Sequence, residues 1–89
     1  MATVRFTRNL QRHVACPSAE APGATVREAL DHYFSFHPRV RGYVLDDQGA
    51  LRQHMAIFVN GRQIQDPLRL TDAVTPSAEI DIIQSLSGG

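Results

Sequence analysis

One apolar stripe with helical spacing, flanked by segments of two-residue alternation, constrains this chain most. The stripe recurs at positions i, i+3, i+4, i+7 and i+8 and comprises Val26, Ala29, Leu30, Tyr33 and Phe34. Thr25 and Glu28 have the spacing of a capping box, and Pro38 disfavours helical backbone at the residue before it. We therefore predict one main helix over about residues 26–35.

Alternation of apolar and polar residues predicts strands on both sides of this helix. The predicted strands are residues 3–7, 13–18, 51–59, 62–64 and 79–83. Asn60-Gly61 predicts a tight hairpin, because both turn residues need positive φ. Residues 37–50 are expected to be irregular. Residues 70–74 are expected to form a tight connection or a single helical turn.

The order strand, strand, helix, strand, short strand, strand predicts an α+β fold. We expect a β-grasp, ubiquitin-like roll with a mixed sheet of four to five strands, one main helix on one face, and parallel first and last strands at its centre. A ferredoxin-like fold would need a second helix within residues 65–78, where Pro67 and Pro76 leave little room. The 89 residues suit one domain. We place it at residues 1–84, with a flexible tail at 85–89.

Charge and composition exclude several classes of function. The nine basic and nine acidic residues cancel, which argues against binding to nucleic acid through phosphate contacts. No apolar run approaches the roughly 18 residues that span a membrane, and the N-terminal residues lack an apolar signal region, so we expect a cytoplasmic protein that does not bind membranes. Cys16 alone allows no internal disulfide or four-cysteine iron–sulfur cluster, and is expected in the core. The four histidines lack metal-site spacing, so we predict no metal site.

All nine basic residues are arginine, and the chain contains no lysine. A coding bias toward arginine explains this simply. Alternatively, a protein whose own terminus becomes an acylating agent benefits from having no ε-amine nearby, because a deprotonated lysine is a nucleophile. In either case, lysine-linked chains of this protein are impossible.

The alternation also predicts which face of the sheet is free. The residues expected in the core are Met55, Ile57, Val59, Ile80 and Ile82. Phe58 and Ile83 then lie on the opposite face, which should be solvated. Large exposed apolar residues on a small domain indicate a partner surface. The alternative is that residues 37–50, or a different strand register, cover them.

The last predicted strand leads through Ser85-Leu86-Ser87 into Gly88-Gly89, the last two residues of the sequence. Together with the order of the other segments, this resembles the MoaD/ThiS family of bacterial sulfur carrier proteins, relatives of ubiquitin. The resemblance spans essentially the whole chain. The segments that carry it are Val4–Phe6, Val26–Phe34, Ile57–Gly61, Leu70–Val74, Glu79–Ile83 and Ser87–Gly89. The family often has an acidic–glycine–acidic turn where this chain has residues 74–79, and that departure weakens assignment to one pathway.

The resemblance implies that this chain is a carrier rather than an enzyme, with Gly89 as its reactive C-terminus. A partner enzyme would use ATP and Mg²⁺ to adenylate the Gly89 carboxylate. A sulfur donor would then displace AMP to leave a thiocarboxylate, which supplies sulfur to a downstream enzyme of molybdopterin, thiamine or cysteine biosynthesis. The carrier itself would bind no cofactor and would be a monomer when free.

The resemblance also implies which residues meet the partner. Gly88 and Gly89 would enter its channel, preceded by Leu86 and Ser87 in the tail. Phe58 and Ile83 would dock against its body. Asp81 and Arg62, with Leu86, are weaker candidates at the rim of that contact.

Two alternatives remain open from the sequence. The same activated terminus could join a lysine of another protein, which would make the chain a ubiquitin-like modifier. The fold could instead be a plain ubiquitin-like binding domain that uses the Phe58 and Ile83 face, with an incidental Gly-Gly.

Overall fold

A computed structural model of the chain describes residues 1–84, and the strands within them form a single five-stranded sheet. The tail prediction for residues 85–89 lies outside the described residues. In chain order the elements are β1 (Ala2–Phe6), α1 (Arg8–Gln11), β2 (Ala19–Ala21), α2 (Val26–Phe36), α3 (Pro38–Val44), β3 (Met55–Val59), β4 (Arg62–Gln63) and β5 (Glu79–Gln84).

The sheet has the order β2-β1-β5-β3-β4, with β5 at its centre. β1 and β5 are parallel, pairing Val4 with Ile80 and Phe6 with Ile82, and the other neighbouring pairs are antiparallel. This confirms the β-grasp roll, including its parallel central pair and its single main helix.

α2 begins and ends as the sequence predicts, within one residue. The Thr25 side chain accepts a hydrogen bond from the Glu28 amide at 3.2 Å, and the Glu28 carboxylate accepts one from the Ala24 amide at 2.9 Å. The apolar stripe of α2 is buried against the sheet, and the Tyr33 and Phe6 rings lie 5.0 Å apart. Tyr33 donates its hydroxyl to the Pro17 carbonyl at 2.6 Å, and burial raises its pKa to about 12.

The second strand is not where the alternation of residues 13–18 placed it. α1 occupies residues 8–11, and β2 pairs with β1 only at Ala19–Ala21. Pro17 has no amide hydrogen for a ladder, and its carbonyl is used by Tyr33 instead. The inward side chains were nevertheless predicted correctly, because Cys16 is buried and Val14 packs against the core.

Residues 37–50 are not wholly irregular, because α3 occupies Pro38–Val44. Pro38 ends α2 but suits the first turn of a new helix, where its missing amide costs nothing. Val40 and Val44 of α3 enter the core. The next strand begins at Met55 rather than Leu51, because Arg52 donates its amide to Val44 and its carbonyl accepts from Met55.

The hairpin and the following connection agree with the sequence. Asn60 has φ 51° and Gly61 has φ 83°, as a two-residue turn between twisted strands requires. The Asn60 side-chain oxygen also accepts a hydrogen bond from the Glu79 amide at 3.0 Å. The connection to β5 is irregular and buries Leu70 at φ 59°, so residues 70–74 form a tight connection rather than a helical turn.

Candidate partner-binding face

β5 separates core from surface residue by residue. Ile80 and Ile82 are fully buried, whereas Ile83 is 36% exposed and Asp81 is half-buried. Successive side chains on a strand point to opposite faces, so Asp81 and Ile83 lie on the face away from α2. The predicted orientation of this strand is confirmed.

Phe58 shares this outer face. The antiparallel pairing of β3 with β5 sets Phe58 directly opposite Asp81 and sets Ala56 opposite Ile83. Residues that pair in this way project to the same side of a sheet. We call the surface formed by Phe58, Asp81 and Ile83 the outer patch.

The Phe58 ring is half-buried rather than fully exposed. It lines a shallow cavity of about 490 Å³, whose walls are Arg5, Phe6, Thr7, Ser18, Phe58, Gly61, Asp81, Ile82 and Ile83. No residue of α3 or its flanking segments borders this cavity, so residues 37–50 do not cover the outer patch. A shallow hollow with an aromatic wall suits the insertion of a partner side chain.

Arg5 is, with Glu79, one of two charged residues of this face that the sequence predictions missed. Its guanidinium contacts the Asp81 carboxylate at 2.8 Å and the Glu79 carboxylate at 2.7 Å. The hydrogen bond and charge of Asp81, followed by the charge of Glu79, raise the pKa of Arg5. The alternation of β1 contained the signal, because Arg5 lies between the inward residues Val4 and Phe6.

The cluster of Arg5, Glu79 and Asp81 gives the outer patch and its edge a net negative charge. Arg5 supplies one positive charge, and Glu79 and Asp81 supply two negative charges. All three side chains are at least partly exposed, so their pairing contributes little to stability. Their effect is to fix the orientation of the carboxylates beside the apolar residues of the patch.

Arg62 does not lie with the outer patch. It pairs with Val59, whereas its neighbour Gln63 pairs with Phe58. A one-residue step along a strand moves a side chain to the other face. Gln63 therefore takes the position at the rim that the sequence analysis gave to Arg62, and the partner-binding role of Arg62 stays a prediction.

The predicted tail residues Leu86, Ser87, Gly88 and Gly89 lie outside the described residues. The strand that leads to them is held at its end by α1 and the residue before it. Gln84 donates its amide to the Thr7 hydroxyl at 3.4 Å, and its side-chain oxygen accepts from the Asn9 side chain at 3.0 Å. The end of β5 thus lies beside α1.

The remaining candidate residues have structural positions. Cys16 is buried, and desolvation raises the pKa of its thiol, as expected of a core cysteine rather than a reactive one. Within residues 1–84, no group of three histidine, cysteine or acidic side chains could hold a metal ion. Over the same residues, no helix is long and apolar enough to span a membrane.

The sheet order, the single main helix and the outer patch define a small ubiquitin-like β-grasp protein. The chain belongs to the ThiS family, whose sequence profile matches residues 6–89. The resemblance to the MoaD/ThiS sulfur carriers is thereby confirmed. A search of curated protein sequences gave no significant match.

Solved structures agree with this assignment. A chain of the BexX/CysO complex of Amycolatopsis orientalis is 25% identical with a TM-score of 0.83, and the alignment covers 100% of both chains. SAMP1 from Haloferax volcanii is 25% identical with a TM-score of 0.78, covering 99% of this chain and 98% of that one. Urm1 from Trypanosoma brucei is 19% identical with a TM-score of 0.69, covering 99% and 94%, and shares the fold.

Proposed function

We propose that this chain is a sulfur carrier, whose Gly89 carboxylate is adenylated by a partner activating enzyme and converted to a thiocarboxylate. The match to the ThiS family over residues 6–89 is the observation that carries this proposal. Gly88 and Gly89 support it, because a backbone without Cβ passes through a channel too narrow for any other residue.

The chemistry assigns the chain the role of a co-substrate rather than an enzyme. An ionised carboxylate is a poor electrophile at neutral pH. Attack of the carboxylate on the α-phosphorus of ATP releases pyrophosphate and forms an acyl adenylate. A sulfur donor then attacks the acyl carbon, a C–S bond forms, and the C–O bond to AMP breaks. The partner supplies ATP and Mg²⁺, and the compartment we propose is the cytoplasm.

The outer patch is the surface we assign to docking of the activating enzyme. Phe58 and Ile83 offer apolar contact next to a shallow cavity of about 490 Å³. Glu79 and Asp81 outnumber Arg5 in charge, which favours a partner that presents an apolar side chain flanked by a basic one. The sulfur would pass to molybdopterin, thiamine or cysteine biosynthesis.

Intact-mass measurement tests this function directly. The full chain is incubated with ATP, Mg²⁺, an activating enzyme and sulfide, and replacement of oxygen by sulfur adds about 16 Da. The control is the chain without Gly89, whose mass should stay unchanged. An unchanged mass of the full chain, with an enzyme that activates another family member, would contradict the carrier function.

A protein modifier is the second candidate, favoured by the similarity to SAMP1, a protein named as a small archaeal modifier. Here a lysine amine of a target protein attacks the acyl adenylate, an amide forms, and AMP leaves. Covalent adducts of higher mass on other proteins, which disappear when Gly89 is deleted, would support this outcome. The absence of lysine excludes lysine-linked chains of this protein on a target.

A further inference from the structure

A second cavity lies away from the outer patch, where α2 meets α3. It has a volume of about 640 Å³. The residues that line it are His13, Val14, Ala15, Phe36, His37, Pro38, Arg39, Val40 and Tyr43. We call this surface the aromatic groove.

The junction between the two helices explains why aromatic side chains remain uncovered there. His37 has φ −135° and ψ 66°, which is not helical, so the chain changes direction between Phe36 and Pro38. Phe36 is left 69% exposed at the end of α2, and Tyr43 of α3 is 41% exposed. Two large exposed rings beside one cavity are unusual on a domain of this size and mark a contact surface.

The polar groups of the aromatic groove are basic or neutral. His13, His37 and Arg39 line it, and none of the lining residues is acidic. The ion pairs found within residues 1–84 involve Arg5 and Arg27, so Arg39 has no carboxylate partner among the described residues. Histidine and arginine also contact aromatic rings, as His13 does with Tyr43 at 6.4 Å between ring centres. Acidic groups on an occupant would complement this charge.

The aromatic groove lies at the end of the fold that holds the C-terminal end of β5. The end of α2 packs there, because the Tyr33 ring contacts Phe6 at the end of β1. β1 runs parallel to β5, so its end lies next to the end of β5. The outer patch occupies the opposite face of the sheet. A partner that holds the residues after Gln84 would therefore meet the aromatic groove on one side and the outer patch on the other.

We infer that the aromatic groove is a second docking surface, which binds an acidic segment of a partner protein that inserts an apolar side chain between Phe36 and Tyr43. The apolar side chain fills the cavity, one carboxylate pairs with Arg39, and a second accepts a hydrogen bond from an imidazole N–H group. This binding needs neither adenylation nor Gly89. Its failure would therefore leave the carrier function untouched, and failure of the carrier function would leave this surface in place.

A titration monitored by NMR tests the proposal on the full, ¹⁵N-labelled chain. The probe is a blocked peptide of sequence Glu-Asp-Leu-Phe-Asp-Glu, and the matched probe replaces each acidic residue by Gln or Asn. We expect the acidic peptide to shift amide signals of residues 36–43 and to bind at least tenfold more tightly than the neutral one. Its binding should weaken in about 1 M salt, where the Debye length falls to about 3 Å.

Substitutions in the aromatic groove provide the second measurement. Phe36 and Arg39 are exposed, so Phe36→Ser and Arg39→Glu should fold normally and bind the acidic peptide at least fivefold more weakly. Leu68→Ser and Arg62→Glu are matched controls, because both residues are exposed and lie outside the cavity. Equal binding of both peptides, shifts confined to the outer patch, or full binding by Phe36→Ser would overturn the proposal.

Discussion

Phe58 and Asp81 lie directly opposite each other in the β3–β5 ladder, so an aromatic ring and an oriented carboxylate share the outer face of the sheet. Arg5 holds that carboxylate from the neighbouring strand at 2.8 Å. The combination offers a partner an apolar contact and a charged contact within one residue pair. Substitutions at this face can therefore test whether the outer patch binds the activating enzyme.

Phe58→Thr should separate docking from folding. Threonine suits a strand and adds no charge, whereas aspartate at this position would face Asp81 and repel it. We expect kcat/KM for adenylation by the partner to fall at least tenfold, about 1.4 kcal/mol, as is typical of an interface aromatic. ATP–pyrophosphate exchange measures this loss.

The stability of the same variant decides how its loss is interpreted. Because the ring is half-buried, the free energy of unfolding should fall by only about 1 kcal/mol in a denaturant titration. Leu68→Thr is the control, since Leu68 is 70% exposed and does not line the cavity beside the outer patch. An unfolded Phe58→Thr protein would show that this ring belongs to the core.

Alanine substitutions of two neighbouring isoleucines in β5 should affect different properties, one mainly stability and the other mainly activation by the partner. Ile82 is fully buried, so Ile82→Ala should lower the free energy of unfolding by about 3 kcal/mol. Ile83 is 36% exposed, so Ile83→Ala should cost less than about 1 kcal/mol while weakening activation by the partner. Paired denaturation and activation assays compare the two variants. Equal destabilisation by both would mean that the face assignment of this strand is wrong.

Local patterns in the sequence were enough to predict α2, the hairpin and the inward residues of β5. Each of these depends on spacing within one segment, such as the capping pair Thr25 and Glu28 or the turn at Asn60-Gly61. The position of β2 depends instead on a distant contact, because the Pro17 carbonyl accepts a hydrogen bond from Tyr33. Alternation within residues 13–18 carries no information about that contact.

The charged part of the candidate site was missed for the same reason. Arg5 and Asp81 are 76 residues apart in sequence, and only the parallel pairing of β1 with β5 makes them neighbours. The face of Arg62 could have been deduced, because a two-residue turn at Asn60-Gly61 pairs Arg62 with Val59, which was predicted to face the core. α3 was missed because proline both ends one helix and begins the next.

Asp66 should make stability depend on pH in the acid range. The Asp66 carboxylate accepts hydrogen bonds from the Thr71 hydroxyl and the Arg69 amide. These bonds lower the pKa of Asp66, and the bond from Thr71 has the larger effect. The unfolded chain therefore binds a proton at Asp66 more tightly than the folded chain does. The ionised Asp66 contributes fully to the stability of the fold above its unfolded pKa, about 3.9, and this contribution is lost as pH falls through the lower folded pKa.

Asp66→Asn tests this dependence. Thermal unfolding from about pH 6 to pH 2 should show a flatter loss of stability on the acid side for this variant than for the unmodified chain. Asp47→Asn is the control, because the Asp47 side chain is exposed and accepts no hydrogen bond within the part of the chain that the structure describes. If Asp66→Asn retains the full acid sensitivity, other carboxylates are responsible for it.

Introducing a lysine beside the exit of β5 should reveal the activated terminus. Arg8 begins α1 and is exposed, and its neighbour Asn9 donates to the Gln84 side chain. The five residues after Gln84 extend at most about 17 Å. In Arg8→Lys, the new amine is expected to attack the acyl adenylate when sulfide is omitted, forming an internal amide as AMP leaves. Intact mass should then fall by about 18 Da, the mass of one water.

A lysine placed far from the end of β5 serves as the control for Arg8→Lys. Arg69 lies in the connection whose backbone contacts Arg27 at the start of α2, the helix end away from Phe6 and the exit of β5. Arg69→Lys should therefore gain no internal amide. The unmodified chain, which has no lysine, should gain none either. If neither lysine variant reacts while adenylation proceeds, protection from self-acylation is not the reason for the arginine-only composition, and coding bias remains the explanation.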